Sequence, residues 1–275
     1  MDKKLKQAAA EIRKLTIKAM AAAGYGHIGG SMSICDILAV LYEKVLNIDP
    51  KDKLKKDRDW VVLSKGHSGP ALYAALAYKG YFAEEELLTL NKNRTNLPSH
   101  CDRLKTAGID LSTGSLGQGI SLGMGAAYGN KMQGIDSYVY IIIGDGEMQE
   151  GQVWEGVQFA AHHNLDNAII IVDNNKRQLD GFIEEVCKQF SLKDKFKSFG
   201  FTTFEADGHD TDDIYEKIKL AKATEKPSVI IMDTQKGYGC CFSEIQGFNH
   251  YMVISEEMAK KAIQDIDERL KRQLC

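Results

Sequence analysis

Residues 141–175 read IIIGDGEMQEGQVWEGVQFAAHHNLDNAIIIVDNN, and this stretch constrains the chain more than any other. An apolar run enters Gly144-Asp145-Gly146. A helix-length segment follows, and a second apolar run ends in Asp173-Asn174-Asn175. Two strands joined by a helix form a βαβ unit, which sets them parallel and side by side. Asp145 and Asn175 then stand at neighbouring strand ends. Carboxylate and amide oxygens are what a hard cation such as magnesium takes. Gly144 and Gly146 have no Cβ to hold a phosphate off the backbone. The arrangement suits a magnesium ion holding a diphosphate.

Gly-Asp-Gly alone is ordinary turn chemistry; the second strand with its Asn pair gives the segment its weight. A dinucleotide-binding fingerprint needs a third glycine three residues after Gly146, where Gln149 stands. Gly117-Gln118-Gly119 begins in the same way, but its third position is Leu122 and no apolar strand precedes it. Nor does a GxxxxGKS or GxxxxGKT sequence occur, which speaks against a P-loop nucleotide site.

With its terminal Asn pair, the Gly-Asp-Gly segment resembles the diphosphate-and-metal motif of thiamine-diphosphate enzymes. Further segments resemble the transketolase family in particular. They are Gly26-His27-Ile28-Gly29-Gly30-Ser31, Leu63-Ser64-Lys65-Gly66-His67, Leu97-Pro98-Ser99-His100 and Ser112-Thr113-Gly114-Ser115-Leu116-Gly117-Gln118-Gly119. The likeness runs in family order from about residue 10 to about residue 240.

At 275 residues with 44% hydrophobic and 27% charged content, the balance is that of an ordinary globular chain with ample length for a core. A net charge of −3 gives no support to nucleic-acid binding. No apolar run approaches the length of a membrane span, and the first residues, MDKKLKQAAAEIRKL, read as an amphipathic helix without a signal-peptide core. The expected location is the cytoplasm, with neither membrane nor nucleic acid as partner. Six cysteines (35, 101, 187, 240, 241 and 275) form no CxxC pair, so reduced thiols are expected, with Cys240 and Cys241 as plain loop residues.

The patterning predicts helices over 2–23, 33–43 with Ser33 as cap, 68–79, 117–133, 212–223 and 255–274. It predicts strands over 60–63, 138–143, 168–172, 201–206 and 228–232. The glycine and alanine content of 117–133 predicts a backbone packed closely against that helix, and the long loop 91–114 reads as functional. Strands alternating with helices imply one α/β domain spanning residues 1–275, with a mainly parallel sheet covered on both faces. Ligands of such sheets sit beyond the carboxyl ends of the strands.

The resemblance implies thiamine diphosphate and magnesium (or calcium or manganese) as cofactors, and this chain as the diphosphate-binding domain. Asp145, the Asn175 side chain and the Arg177 carbonyl are the implied metal ligands. Gly114, Ser115, Gly144, Gly146, Glu147 and His67 are implied around the cofactor. Leu116 and Leu179 match apolar family positions, with plain core packing as the alternative. His27, His67, His100 and, on a weaker match, His250 are implied in the substrate channel, where imidazoles suit proton transfer. His162 is a candidate for a place near the cofactor, His163 is read as structural and His209 as a turn residue.

The family's catalytic glutamate and substrate-phosphate arginines lie in a second, pyrimidine-binding domain, which these 275 residues do not contain. Glu150 matches the glutamate that reaches across the dimer toward that catalytic group. The implied protein is the N-terminal subunit of a split transketolase of carbohydrate (pentose phosphate) metabolism. It moves a two-carbon ketol unit from ketose to aldose, and a C-terminal subunit completes an α2β2 heterotetramer. Cys101 stands where the family commonly has Pro, which points to a modified donor or acceptor, such as a branched or sulfonated sugar or a biosynthetic intermediate; the surroundings of His250 also differ from the family's. Two alternatives stand beside this reading: a pyruvate-decarboxylating enzyme similar to deoxyxylulose-phosphate synthase, and a non-catalytic cofactor-binding scaffold.

Overall fold

The computed structural model describes residues 2–244 and 247–274. Among the described residues seven strands occur, in chain order: β1 Tyr25–Gly26, β2 Trp60–Leu63, β3 Val139–Gly144, β4 Ala168–Asn174, β5 Thr202–Asp207, β6 Ser228–Asp233 and β7 Met252–Val253. Five of them form one parallel sheet in the order β2-β3-β4-β6-β5. The remaining two, β1 and β7, pair antiparallel as a small ribbon that joins the two ends of the chain.

The central strands are nearly continuous Ile and Val because both faces are buried. Alternation then divides each strand between two cores. Tyr140, Ile142, Ile169, Ile171 and Ile230 pack on one face with the helices Lys3–Ala23, Cys35–Val40 and Gly69–Lys79. Ile141, Ile143, Ile170, Val172 and Val229 pack on the other with Gln118–Met132, Gly151–His162 and Leu192–Ser198. The expected fold class is therefore observed. No helix among the described residues is long and apolar enough to cross a membrane.

Most boundaries follow the local chemistry. Asp2 caps the first helix through its side chain, and Gly24, at φ 86°, ends it in the left-handed conformation that favours glycine. Ser33 is a correction. The helix starts at Cys35 with Ile34 at its cap, and Ser33 Oγ instead donates to Asp173 Oδ2 at 2.7 Å, far away in sequence. Residues 91–114 carry no regular strand or helix, as expected.

The close packing expected of the Gln118–Met132 helix is present. A Cβ added at Gly119 would lie 2.5 Å from Ser64 Cα, a backbone atom that cannot yield. Gly→Ala inside a helix ordinarily stabilises by about 1 kcal/mol. Here the clash reverses the sign: Gly119→Ala is expected to lower stability by about 1–3 kcal/mol in urea unfolding, as overpacking does.

Candidate cofactor and substrate site

The register that pairs Gly144 with Asp173 and Asn174 with Asp233 brings the carboxyl ends of β3, β4 and β6 together. Asp145 leaves β3 almost wholly buried. Its Oδ1 accepts from Gly146 N–H at 2.8 Å, and its Oδ2 accepts from Lys176 N–H. Burial, and then the nearby Asp173 carboxylate, push its carboxyl up to about 7. Asn175 is pinned in one orientation: Nδ2 donates to Asp173 Oδ2 at 2.9 Å, and Oδ1 accepts from Arg177 N–H at 3.1 Å. Asp145 and Asn175 thus flank the same Lys176–Arg177 turn, as the sequence led us to expect. A dry carboxylate short of positive charge, beside an oriented amide oxygen, fits a hard cation. Among the described residues no group of three or more His, Cys, Asp or Glu is placed to hold a metal. Any cation held here would therefore take its remaining oxygens from backbone, ligand or water.

Beneath this turn lies a hub that went unassigned in the sequence. Asp173 is fully buried and accepts from Lys65 Nζ at 2.6 Å, Ser33 Oγ at 2.7 Å, Asn175 Nδ2 at 2.9 Å and Thr234 Oγ1 at 2.5 Å. Lys65 Nζ also donates to Gly30 O at 2.8 Å. One carboxylate thereby fixes four segments around the site. Glu147 plays a similar part, since its carboxylate accepts from Ser64 Oγ, Gly117 N–H and Gly144 N–H. Its oxygens are occupied by protein donors, which makes it a clamp under the position implied for it.

The four histidines meet. Ring centroids lie 5.3 Å apart for His27 and His67, 5.3 Å for His27 and His250, 5.0 Å for His67 and His250, and 6.1 Å for His27 and His100. Burial, followed by His100 and Lys236, pushes His27 down to about 4. Burial, then Lys236, pushes His250 down to about 3, and His67 is lowered for the same reason with Lys65 foremost among the charges. These three are neutral imidazoles near pH 7, able both to donate and to accept a proton. Tyr251, 5.0 Å from the His27 ring, and Lys236 join the cluster and were not singled out in the sequence. Buried Lys236 directs Nζ to Gln178 O and His250 Nδ1, both at 3.2 Å. Burial, with Lys65 adding to it, lowers its amine to about 8.

A cavity of about 190 Å³ lies beside His250, with Arg177, Leu179, Lys236 and His250 on its wall. Leu179 and Leu116 are exposed by 51% and 39%, which excludes plain core packing within this chain. Ser115 and Glu150 are exposed beside them. Gly114 and Gly146 have neighbours within the protein, since an added Cβ would meet His100 Cδ2 at 3.2 Å and Gln178 Cβ at 3.0 Å respectively.

One histidine assignment changes, and a second is extended. His162 ends the helix that leads to the start of β4, so the length of that strand, roughly 20 Å, separates it from the site of this chain. His209 belongs to the turn after β5 but is largely buried and hydrogen-bonded to Asp36. The five described cysteines are free, and Cys275 lies outside the described residues.

Comparison with known proteins agrees with this geometry. Residues 4–265 match the family described as "Transketolase, thiamine diphosphate binding domain". The 6-deoxy-6-sulfo-D-fructose transketolase subunit SqwG of Clostridium sp. (strain MSTE9) is 48% identical, across 94% of each chain. An apulose-4-phosphate transketolase subunit of Actinobacillus succinogenes is 36% identical across 97% of each. Transketolase from Leishmania mexicana superposes with a TM-score of 0.90 at 29% identity, over 97% of this chain and 41% of that one. Human transketolase, 36% identical, is likewise covered over only 42% of its length. Ketol transfer with thiamine diphosphate is the function of this family, and the chain belongs to it, as a transketolase subunit that carries the thiamine-diphosphate-binding domain.

Proposed function

We propose that this chain is the N-terminal subunit of a split transketolase that uses magnesium and thiamine diphosphate, with a sulfonated ketose as donor. The observation that carries the reading is Lys236, whose ammonium reaches His250 of the four-histidine cluster on one side and, on the other, the Gln178 carbonyl in the turn that follows Asn175. Asp145, Asn175 and the Arg177 carbonyl hold the magnesium ion. Lys236 directs its charge toward the diphosphate from the opposite wall. The cofactor, once bound, supplies an electron sink for breaking the C–C bond beside the ketose carbonyl. The chain's own residues do the rest. His27, His67 and His100 hydrogen-bond the sugar oxygens and move protons between them, and His250 closes the cluster against Lys236.

The exposed Leu116, Leu179 and Glu150 at the rim support a second chain that covers the cofactor and brings the catalytic glutamate. The pairing would be α2β2, with pyrimidine and C-terminal domains on the partner. Three buried free thiols suit the reducing cytoplasm. The 48% likeness to a protein named for a sulfonated ketose favours that donor over xylulose 5-phosphate. The test is ketol transfer by the chain, alone and with a pyrimidine-domain subunit, from 6-deoxy-6-sulfofructose and from xylulose 5-phosphate. The pair is expected to prefer the sulfonated donor by at least about tenfold in kcat/KM, and the single chain to be inactive. Full activity of the single chain would refute the split, and a preference for xylulose 5-phosphate would refute the donor. Release of carbon dioxide from pyruvate would move the chain to the decarboxylating branch.

A further inference from the structure

Behind the loop that carries Lys236, beside the carboxyl ends of β5 and β6, lies a second polar chain. Arg13, on the first helix, forms a buried pair with Asp36 through its two terminal guanidinium nitrogens. Asp36 Oδ2 lies 2.9 Å from His209 Nδ1. His209 Nε2 accepts the Gln235 backbone N–H at 2.8 Å. Because Nε2 accepts, the ring proton resides on Nδ1 and points at Asp36. The His209 ring also stacks on Tyr238, with centroids 3.6 Å apart and planes 13° apart. Arg13 closes the circuit by donating from Nε to Tyr238 O at 3.3 Å. Burial pushes the Asp36 carboxyl up, but Arg13 and the bond from His209 more than offset this and leave it below the usual carboxylate range.

The circuit grips the loop after β6 at residues 235 and 238, on either side of Lys236. Other bonds hold the same loop, among them Gly237 N–H to Gly29 O at 3.0 Å and Asn249 Nδ2 to Lys236 O at 2.9 Å. On the N-terminal side of the lysine the loop is held at Thr234, whose hydroxyl donates to Asp173, and at Gln235, whose N–H donates to His209 next to Lys236 itself. Without the His209 bond the Gln235 N–H would lack its acceptor, and the Thr234–Gln235 peptide, one residue before Lys236, would lose that anchor, leaving the turn closed by Tyr238 N–H on Gln235 O to hold the lysine. A lysine side chain with four rotatable carbons keeps its ammonium aimed only if its backbone is fixed.

We propose that His209, backed by Asp36 and Arg13, is a positioning residue that aims Lys236 at the cofactor diphosphate. The proposal rests on the cofactor site described above, and its test separates the two. Titration of thiamine diphosphate with magnesium into the assembled enzyme, by calorimetry, gives the cofactor Kd; kcat is taken at saturating cofactor. His209→Phe keeps the stack on Tyr238 and removes both hydrogen bonds. It is expected to raise the cofactor Kd at least about tenfold, the scale of one polar group left unmatched, with kcat within about twofold of wild type. In a Lys236→Met background the same substitution is expected to change Kd by less than about twofold, because its effect passes through the lysine.

A wild-type Kd for His209→Phe overturns the proposal. An equal loss with and without Lys236 also overturns it, since that is general loosening. Should His209→Phe fail to fold, His209→Gln and His209→Asn decide the matter. Gln keeps an acceptor within reach of Gln235 and should bind the cofactor nearly as wild type does. Asn keeps only the donor toward Asp36 and should bind about tenfold more weakly; equality or the reverse order refutes the role. If instead Lys236→Met leaves the Kd unchanged, the site reading itself falls, and this inference with it.

Discussion

Asp145→Ala in the assembled enzyme is expected to abolish measurable magnesium-dependent binding of thiamine diphosphate and, with it, ketol transfer. The loss should be at least about 100-fold in cofactor affinity, because even outer partners of metal ligands cost 10–100-fold when removed. The substitution takes away the one carboxylate of the oxygen donor pair, and the pair has no acidic neighbour that can replace it without moving: Asp173 is committed to Lys65, Ser33, Asn175 and Thr234. Folding should survive, because Asp145 without a cation is a buried charge pushed toward neutrality and adds little to stability in that state. Calorimetric titration gives the affinity and a thermal melt gives the fold. Unchanged cofactor binding by a folded Asp145→Ala protein would show that the metal site is misassigned.

Asp173→Ala is expected to act on the protein itself. It removes the partner of Lys65, whose side chain is 2% exposed, and leaves a buried ammonium with only the Gly30 carbonyl. Breaking one side of a buried ion pair costs about 3–5 kcal/mol, and two hydroxyls and the Asn175 amide lose an acceptor as well. The midpoint of denaturant unfolding should fall accordingly, and cofactor affinity should fall with the orientation of Asn175. Burial pushes the Asp173 carboxyl up, but Lys65 and the hydrogen bonds from Thr234 and Ser33 outweigh it and hold it below its ordinary value. A carboxyl depressed on folding stabilises at all pH above its unfolded value, near about 4, and loses that contribution as pH falls through the folded value. Wild type should therefore lose stability below about pH 4, and Asp173→Ala should lack that part of the acid limb. A wild-type unfolding midpoint for Asp173→Ala would refute the hub.

The sheet was legible because its central strands carry long Ile and Val runs, and because Gly144 and Asn174 end those runs where the strands end. The oxygen pair and the four histidines were legible by their motifs, each confined to a few consecutive residues. What was not legible joins residues far apart. Ser33 reads as a helix cap on local grounds, yet its hydroxyl bonds Asp173 140 positions away. Lys65 lies between two quoted motif residues, and nothing local shows that its ammonium runs into the core to a carboxylate 108 positions on. His209 reads as a turn residue because its backbone N–H does close a turn on Asp207, while its ring serves Asp36 and Gln235. Lys236 sits in a glycine-rich loop where a lysine is ordinarily solvated, and its burial arises from Asn249 and Gly29 folding over it.

The rim of the cleft carries a demand that reaches past the chemistry. Leu116, Leu179, Phe182, Phe248 and Tyr251 all present apolar surface to water on the side where turnover takes place. Patches of this kind invite aggregation and proteolysis when nothing shields them. This polypeptide made without a partner subunit is therefore expected to aggregate and to be cleaved faster than when the two are made together, which expression alone and in pairs would measure.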